Sequence, residues 1–124
     1  EIGVEYIDYG IAPGEKIDYP DAAERVCREV VNGTVDRAIL ICGTGIGISI
    51  AANKIKGIRA CACSDSFSAK YTRLHNDANA LCLGGRVVGA GLACELVDLF
   101  LTTEFEGGRH QRRVDLITKL EEKG

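Results

Sequence analysis

The feature that most constrains the fold lies in residues 39–54, where a short apolar run ends at a cysteine and three alternating glycines follow. Residues 39–42 are rich in isoleucine, and a β-branched run bounded by glycines is typical of a buried parallel strand. Gly43, Gly45 and Gly47 permit a tight turn that leaves backbone N–H groups exposed. A helix beginning near Gly47 directs the positive end of its dipole at this turn. The stretch therefore predicts a strand–turn–helix unit that can hold an anionic group.

A cysteine at the end of this strand adds a reactive group to the predicted anion site. Cys42 stands beside the exposed N–H groups, where a thiolate is favoured, so we interpret it as a candidate base or nucleophile. A tight turn without a ligand is the alternative. A dinucleotide fold is another, because Asp65 follows the next strand, but the third glycine comes one residue early for that fingerprint. A cysteine phosphatase is weaker still, since Ile48 and Ser49 occupy the region where its loop needs an arginine.

The rest of the chain alternates predicted strands with predicted helices. Strands are predicted over residues 4–7, 39–42, 58–63 and 79–83, and helices over 20–31, 47–54, 64–74, 89–101 and 109–122. This alternation is typical of a parallel sheet covered by helices on both faces, here in one domain over residues 1–124. Ligands of such sheets bind beyond the carboxyl ends of the strands. We expect the turns at residues 42–47, 64–65 and 84–86 to meet at that edge.

Composition narrows the class of protein. The chain has 124 residues and a net charge of −3, so bulk charge gives no reason to expect nucleic-acid binding. No apolar run approaches ~20 residues, and no signal peptide is visible at the start. The six cysteines include no C-x-x-C pair and are interpreted as reduced thiols of a cytosolic protein. Of these, Cys61 and Cys63 point to one side of a strand, which is more typical of a core than of a metal site.

Two polar segments are further candidates for function. His75 and Asn76 fall together between a helix and a strand, and spacing alone favours a surface role and a functional role equally. Arg109 and Arg113 are four residues apart, so both side chains leave one face of a helix, a geometry that suits a phosphate group. The double glycine at 107–108 favours function, and a solvated polar face is the alternative.

Taken together, five motifs resemble the B-type ribose-5-phosphate isomerases, a family that includes the galactose-6-phosphate isomerase subunits. The motifs are Asp18-Tyr19-Pro20-Asp21, residues 41–54, Gly57-Ile58-Arg59-Ala60, His75-Asn76-Asp77-Ala78-Asn79 and Glu104-Phe105-Glu106-Gly107-Gly108-Arg109-His110. They follow in the family's order over essentially the whole chain. The resemblance implies a three-layer α/β/α sandwich with a Rossmann-like parallel sheet, assembled as a dimer or tetramer and needing no metal or other cofactor.

The implied reaction is the interconversion of ribose 5-phosphate and ribulose 5-phosphate through an enediolate, a step of the pentose phosphate pathway. Galactose 6-phosphate or allose 6-phosphate is an alternative substrate, and a nucleotide-binding module without enzymatic activity is the alternative from another class. Ile48 excludes the type of family member that carries a glutamate in the glycine loop.

The resemblance also implies roles for individual residues. Cys42 is the expected base, Thr44 assists with hydroxyl protons, and His75 is the expected acid that opens the sugar ring. The backbone N–H groups of Gly43, Gly45 and Gly47 would hold the enediolate oxygen. The remaining expected substrate contacts are Tyr19 lining the pocket, Asn76 on a hydroxyl group, and Arg86, Arg109 and Arg113 on the phosphate.

Two further expectations concern the sheet and the assembly. Family members begin with a strand that ends in an Asp-His pair, whereas this sequence starts where their second strand starts, so a central strand is expected to be missing. The resemblance implies that two subunits share each site, with His75 and Asn76 serving the partner subunit's Cys42. An apolar helix over residues 89–101 should be deeply buried or part of an interface, and we expect an obligate homodimer or a homotetramer.

Overall fold

The computed structural model describes residues 4–10 and 16–123, and in them five helices alternate with three strands before the chain ends on two successive helices. The elements are α1 (Tyr19–Val31), β1 (Ala38–Cys42), α2 (Ile46–Ala52), β2 (Ala60–Ala62), α3 (Ser66–Asn76), β3 (Ala80–Gly84), α4 (Ala90–Thr102) and α5 (Arg109–Lys123). From residue 16 onward, the predicted order of elements is confirmed, and their ends agree to within about two residues.

The three strands form a parallel sheet in the order β1-β3-β2. Cys42 at the end of β1 is paired with Gly84 at the end of β3, and Ala62 at the end of β2 is paired with Cys82. The carboxyl ends of all three strands therefore lie along one side of the sheet, which we call the carboxyl edge; the opposite side is the amino edge. The predicted meeting of three turns at the carboxyl edge is confirmed.

Helices cover both faces of the sheet because alternate residues of β3 point to opposite sides. Ala80 and Cys82 belong to a core cluster with residues of α1 and α2, whereas Leu81 and Leu83 pack with residues of α3 and α4. Every residue of β3 is buried, as expected for a central parallel strand. The three-layer architecture is thus confirmed.

The strand predicted over residues 4–7 is wrong. Residues 4–10 form no strand, and Tyr6 is 86% exposed. Alternating residues provide one apolar face, but a strand also needs a neighbour for its backbone N–H and C=O groups, and this segment pairs with none of the described strands. It contacts α1 instead, where the Tyr9 hydroxyl donates to Glu29 Oε1 at 3.1 Å.

A buried arginine fixes the end of α3. Arg73 is 4% exposed, and its guanidinium donates to the carbonyl oxygens of Ala78 at 2.7 Å and Thr103 at 3.0 Å. It also pairs with Asp77, whose carboxylate lies 2.8 Å away. These bonds join α3 to the segments that precede β3 and follow α4, and they set the position of the polar residues beyond α3.

The apolar helix predicted over residues 89–101 appears as α4. Leu96 and Phe100 are fully buried, while Glu95 and Asp98 lie on its exposed side. The helix is therefore buried along one face only. Its exposed side also carries Leu92, which is 36% exposed. None of the helices in the described residues has the length and apolar character needed to cross a membrane.

Candidate active site

Cys42 lies at the carboxyl edge, where the glycine turn wraps around its sulfur atom. The thiol is partly buried, and the backbone N–H of Gly45 donates to Sγ at 3.2 Å. Burial raises the pKa of the Cys42 thiol, but backbone N–H groups of Ile48, Gly45, Thr44 and Gly47 outweigh it, so the net pKa is below the ordinary value. The turn is thus built to favour a thiolate.

The glycines of the turn are required by close packing between two segments. Gly45 has φ of +81°, and a Cβ placed on it would lie 2.9 Å from the carbonyl carbon of Leu83. Across the same contact, a Cβ on Gly84 would lie 2.6 Å from the carbonyl carbon and oxygen of Thr44. Side chains at either position would push the turn off the end of β3, and the N–H groups around Cys42 would lose their arrangement.

Three more of the predicted site residues surround this turn. A Cβ on Gly47 would lie 2.8 Å from Tyr19 Cζ, so the exposed Tyr19 ring rests directly against the start of α2. Arg86 approaches Gly43, because a Cβ placed on Gly43 would lie 3.8 Å from both Cδ and Nε of Arg86. Thr44 is exposed, and its Oγ1 accepts from the backbone N–H of Ile46 at 3.2 Å.

The turn after β3 is bonded to the turn after β1. The N–H of Gly85 donates to the carbonyl of Cys42 at 2.7 Å, and the N–H of Arg86 donates to that of Gly43 at 3.0 Å. Tyr19, Cys42, Thr44, Arg86 and the three glycines therefore form one cluster, which we call the carboxyl-edge group.

The other predicted site residues lie at the amino edge. His75 and Asn76 end α3, which runs back across the sheet from the carboxyl edge. Arg109 and Arg113 are exposed on the first turns of α5, beside His110, whose ring stacks on His75 with centroids 4.1 Å apart. We call His75, Asn76, Arg109 and Arg113 the amino-edge group.

Within one chain, the two groups do not form a single pocket. β1 spans five residues from Ala38 at the amino edge to Cys42 at the carboxyl edge. At about 3.3 Å per residue, roughly 13 Å of sheet separates these two ends. Each chain thus carries a thiol surrounded by backbone N–H groups at one edge, and an imidazole with two guanidinium groups at the other.

The amino edge contains neighbours of His75 that the sequence did not reveal. Tyr71 places its ring against His75 at an interplanar angle of 75°, with centroids 5.1 Å apart. His110 covers the other side, and its Nε2 lies 3.2 Å from Glu106 Oε1. Tyr71 precedes His75 by one helical turn, a signal that could have been used. The contact with His110 depends on how α5 folds back, which no local pattern predicts.

A pair of neighbouring thiols lies outside both groups. Cys61 and Cys63 have sulfur atoms 3.3 Å apart, and both pack in the cluster beneath α3 and α4. Their hydrogen bond lowers the pKa of Cys61 to about 6 despite burial, and the same bond raises the pKa of Cys63. The packing agrees with the prediction that this pair belongs to the core.

The chain is similar to members of a known protein family in sequence and in fold. The family described as Ribose/Galactose Isomerase matches residues 1–117. Ribose-5-phosphate isomerase B of Escherichia coli is 54% identical over 123 residues, which cover 99% of this chain and 83% of the relative. D-erythrulose-4-phosphate isomerase of Pectobacterium atrosepticum is 44% identical over 116 residues, covering 93% and 76% of the two chains. The structure of Clostridium thermocellum ribose-5-phosphate isomerase B superposes with a TM-score of 0.93 at 54% identity. The match covers 98% of this chain and 82% of the Clostridium thermocellum chain.

Proposed function

Because this chain belongs to the ribose/galactose isomerase family, we propose that it interconverts ribose 5-phosphate and ribulose 5-phosphate. The observation that carries this proposal is the Cys42 thiol, held among backbone N–H groups with a lowered pKa. Relatives named for this reaction, from Escherichia coli and Clostridium thermocellum, support the choice of substrate.

The chemistry follows from what lies around Cys42. An aldose becomes a ketose when a base removes the proton from C2 and the proton is returned to C1. A Cys42 thiolate is suited to this transfer because its pKa lies closer to neutrality than that of an ordinary thiol. The enediolate oxygen would face the N–H groups of the 43–47 turn, and Thr44 would exchange hydroxyl protons. Each such preorganised donor is typically worth about 3–4 kcal/mol in the transition state.

The amino-edge group would supply the other functions. Ribose 5-phosphate exists mainly as a closed ring, and the His75 imidazole would exchange the proton that ring opening requires. Asn76 would bond a sugar hydroxyl. Arg109 and Arg113 are exposed, four residues apart on one helix, and free of ion pairs with the described residues, so both guanidinium groups can take a phosphate.

The two groups can act on one substrate only if they come from different chains. Cys42 and His75 stand at opposite edges of a sheet that is roughly 13 Å long at β1, so one chain does not bring the proposed base and the proposed acid together. A two-fold dimer solves this, because it sets the carboxyl edge of each chain against the amino edge of its partner and creates two equal sites. We therefore propose a homodimer, or a tetramer built from such dimers, with each site shared. A cytosolic location stays a prediction.

A four-carbon substrate is the second candidate. The Pectobacterium atrosepticum relative is named for D-erythrulose 4-phosphate, and it is 44% identical to this chain. Galactose 6-phosphate and allose 6-phosphate stay alternatives of the same reaction type.

The test is an assay of aldose–ketose interconversion with purified protein and each of these sugar phosphates. We expect turnover of ribose 5-phosphate with the highest kcat/KM and its loss in Cys42→Ala. Cys94→Ala is the matched control, because Cys94 is exposed on α4, away from the turn, and its removal should leave the rate unchanged. Faster turnover of another substrate would replace the proposed one, and an active Cys42→Ala variant would exclude the proposed base.

A further inference from the structure

A stack of rings follows α3 towards the amino edge and continues onto α5. Phe67 and Tyr71 stack with centroids 4.1 Å apart, and Tyr71 meets the edge of His75. On its other side, His75 lies nearly parallel to His110, at 4.1 Å and an interplanar angle of 13°. The His75 ring is therefore clamped between two rings, so the plane in which its nitrogens can reach a substrate is fixed.

His110 is itself rigidly held. It is only 5% exposed, and its Nε2 lies 3.2 Å from the Glu106 carboxylate, within reach of an ion pair or hydrogen bond. The backbone of Glu106 is also anchored, because its N–H donates to the carbonyl of Leu74 at 3.0 Å. Between them, Gly107 and Gly108 adopt φ of +72° and +56°, which turn the chain so that α5 begins with His110 over His75.

His75, Glu106 and His110 lie close enough together to be considered as a metal site. His75, Glu106 and His110 place ligand atoms within 4.8 Å of one another. Metal-bound imidazoles direct an in-plane nitrogen at the ion from about 2.0–2.1 Å. Two rings stacked nearly parallel at 4.1 Å direct their lone pairs along separate planes, so they cannot meet one ion without breaking the stack. The stacked geometry is instead what is expected if the His110 ring holds the His75 ring in position.

We propose that His110, held by Glu106, is a positioning residue that orients His75 for opening of the sugar ring. This inference rests on the proposed function, in which His75 exchanges the ring-opening proton. His75 makes no hydrogen bond with the described residues, so ring contacts alone control its orientation. Displacement of a catalytic group by about 1 Å can cost a hundredfold in rate.

The experiment compares His110→Ala with His110→Phe, which keeps a flat ring over His75 but loses the contact with Glu106. We expect kcat/KM for ribose 5-phosphate to fall about tenfold to a hundredfold in His110→Ala, and His110→Phe to recover most of it. Glu106→Gln keeps an oxygen near Nε2 and should stay within about threefold of the wild type, whereas Glu106→Ala leaves the buried Nε2 without that partner and should fall between the wild type and His110→Ala. Arg112→Ala, exposed on the same helix, is the matched control.

A structural defect is distinguished from slow ring opening by substrate deuterated at C2. If ring opening limits the rate of the His110→Ala variant, its primary isotope effect on kcat/KM lies near unity. Cys42→Ser slows proton transfer instead, so this variant should keep or increase the isotope effect. The alkylation rate of Cys42 without substrate should stay close to the wild-type rate in His110→Ala, since the N–H groups that lower its pKa come from residues 44–48. A slow His110→Ala variant with an isotope effect clearly above unity overturns the proposal, as does an unchanged rate.

The ring stack can be tested apart from activity. The chain has two histidines, so their ring protons are readily assigned by NMR. We expect nuclear Overhauser contacts between the His75 and His110 rings, and their absence in wild-type protein overturns the proposed stack. Wild-type protein that shows these contacts but does not turn over ribose 5-phosphate would contradict the proposed substrate and leave the stack established.

Discussion

Two adjacent glycines at the end of β3 offer the sharpest test of how the Cys42 turn is built. A Cβ on Gly84 would lie 2.6 Å from the Thr44 carbonyl carbon and oxygen, and 2.8 Å from its Cα. These are backbone atoms, so the turn itself must move. A Cβ on Gly85 would meet the Cys42 carbonyl oxygen and Ile41 Cγ2 at 3.7 Å, which is ordinary contact. Neither glycine is among those with positive φ, so alanine is tolerated by the backbone at both positions.

Gly84→Ala should therefore be overpacked, at a cost of about 1–3 kcal/mol. At roughly 4 °C per kcal/mol for a chain of this size, the melting temperature should fall by about 4–12 °C. The displaced atoms belong to Thr44, which lies in the turn around Cys42. Because the turn must move, kcat/KM should fall about a hundredfold as well. Gly85→Ala should stay within about 1 kcal/mol of the wild type and keep its activity.

The assay is thermal unfolding by circular dichroism, followed by turnover of ribose 5-phosphate for both variants at a temperature where each is folded. Equal melting temperatures and equal rates for Gly84→Ala and Gly85→Ala would refute the argument that close approach of the two turns shapes the site.

Three further predictions concern other parts of the molecule. Arg109→Ala and Arg113→Ala should each raise KM about tenfold to a hundredfold while Arg112→Ala does not, and equal effects in KM measurements at all three positions would indicate general electrostatics. Arg73→Ala removes bonds to two carbonyls and a carboxylate, so urea unfolding should show a loss of about 2–4 kcal/mol; a loss below 1 kcal/mol would contradict this. Cys42 has a lowered pKa, so its alkylation by iodoacetamide, followed by mass spectrometry, should persist to a lower pH than for an ordinary thiol of pKa 9.0. Substrate should block this alkylation, and an ordinary pH dependence without protection by substrate would count against a thiolate base.

The sequence predicted the carboxyl edge well because its signals are local. Alternating glycines after an apolar strand require a tight turn, and Cys42 cannot avoid the N–H groups of that turn. Strand alternation failed over residues 4–7 because pairing depends on a neighbour that a local pattern does not encode. The clamp on His75 was missed for a related reason, since His110 is 35 residues away and meets it only when α5 folds back.

The separation of the two groups was expected only from the family resemblance, because residue spacing alone does not show it. His75 and Arg109 look like members of the same site as Cys42 until the strand register is known. Only then does the end of α3 fall at the amino edge and Cys42 at the carboxyl edge. This separation is the reason that we propose a site completed by two chains.

The most direct test of this account is complementation between two inactive variants, Cys42→Ala and His75→Ala. Mixed and allowed to exchange subunits, they form hybrid dimers in which one site combines an intact Cys42 with an intact His75. Random exchange of equal amounts places such a site in half of the dimers, so activity should recover to about a quarter of the wild-type value. Mass spectrometry would verify that hybrids have formed. No recovery in a mixture with verified hybrids would contradict the shared site, and so would a fully active monomer.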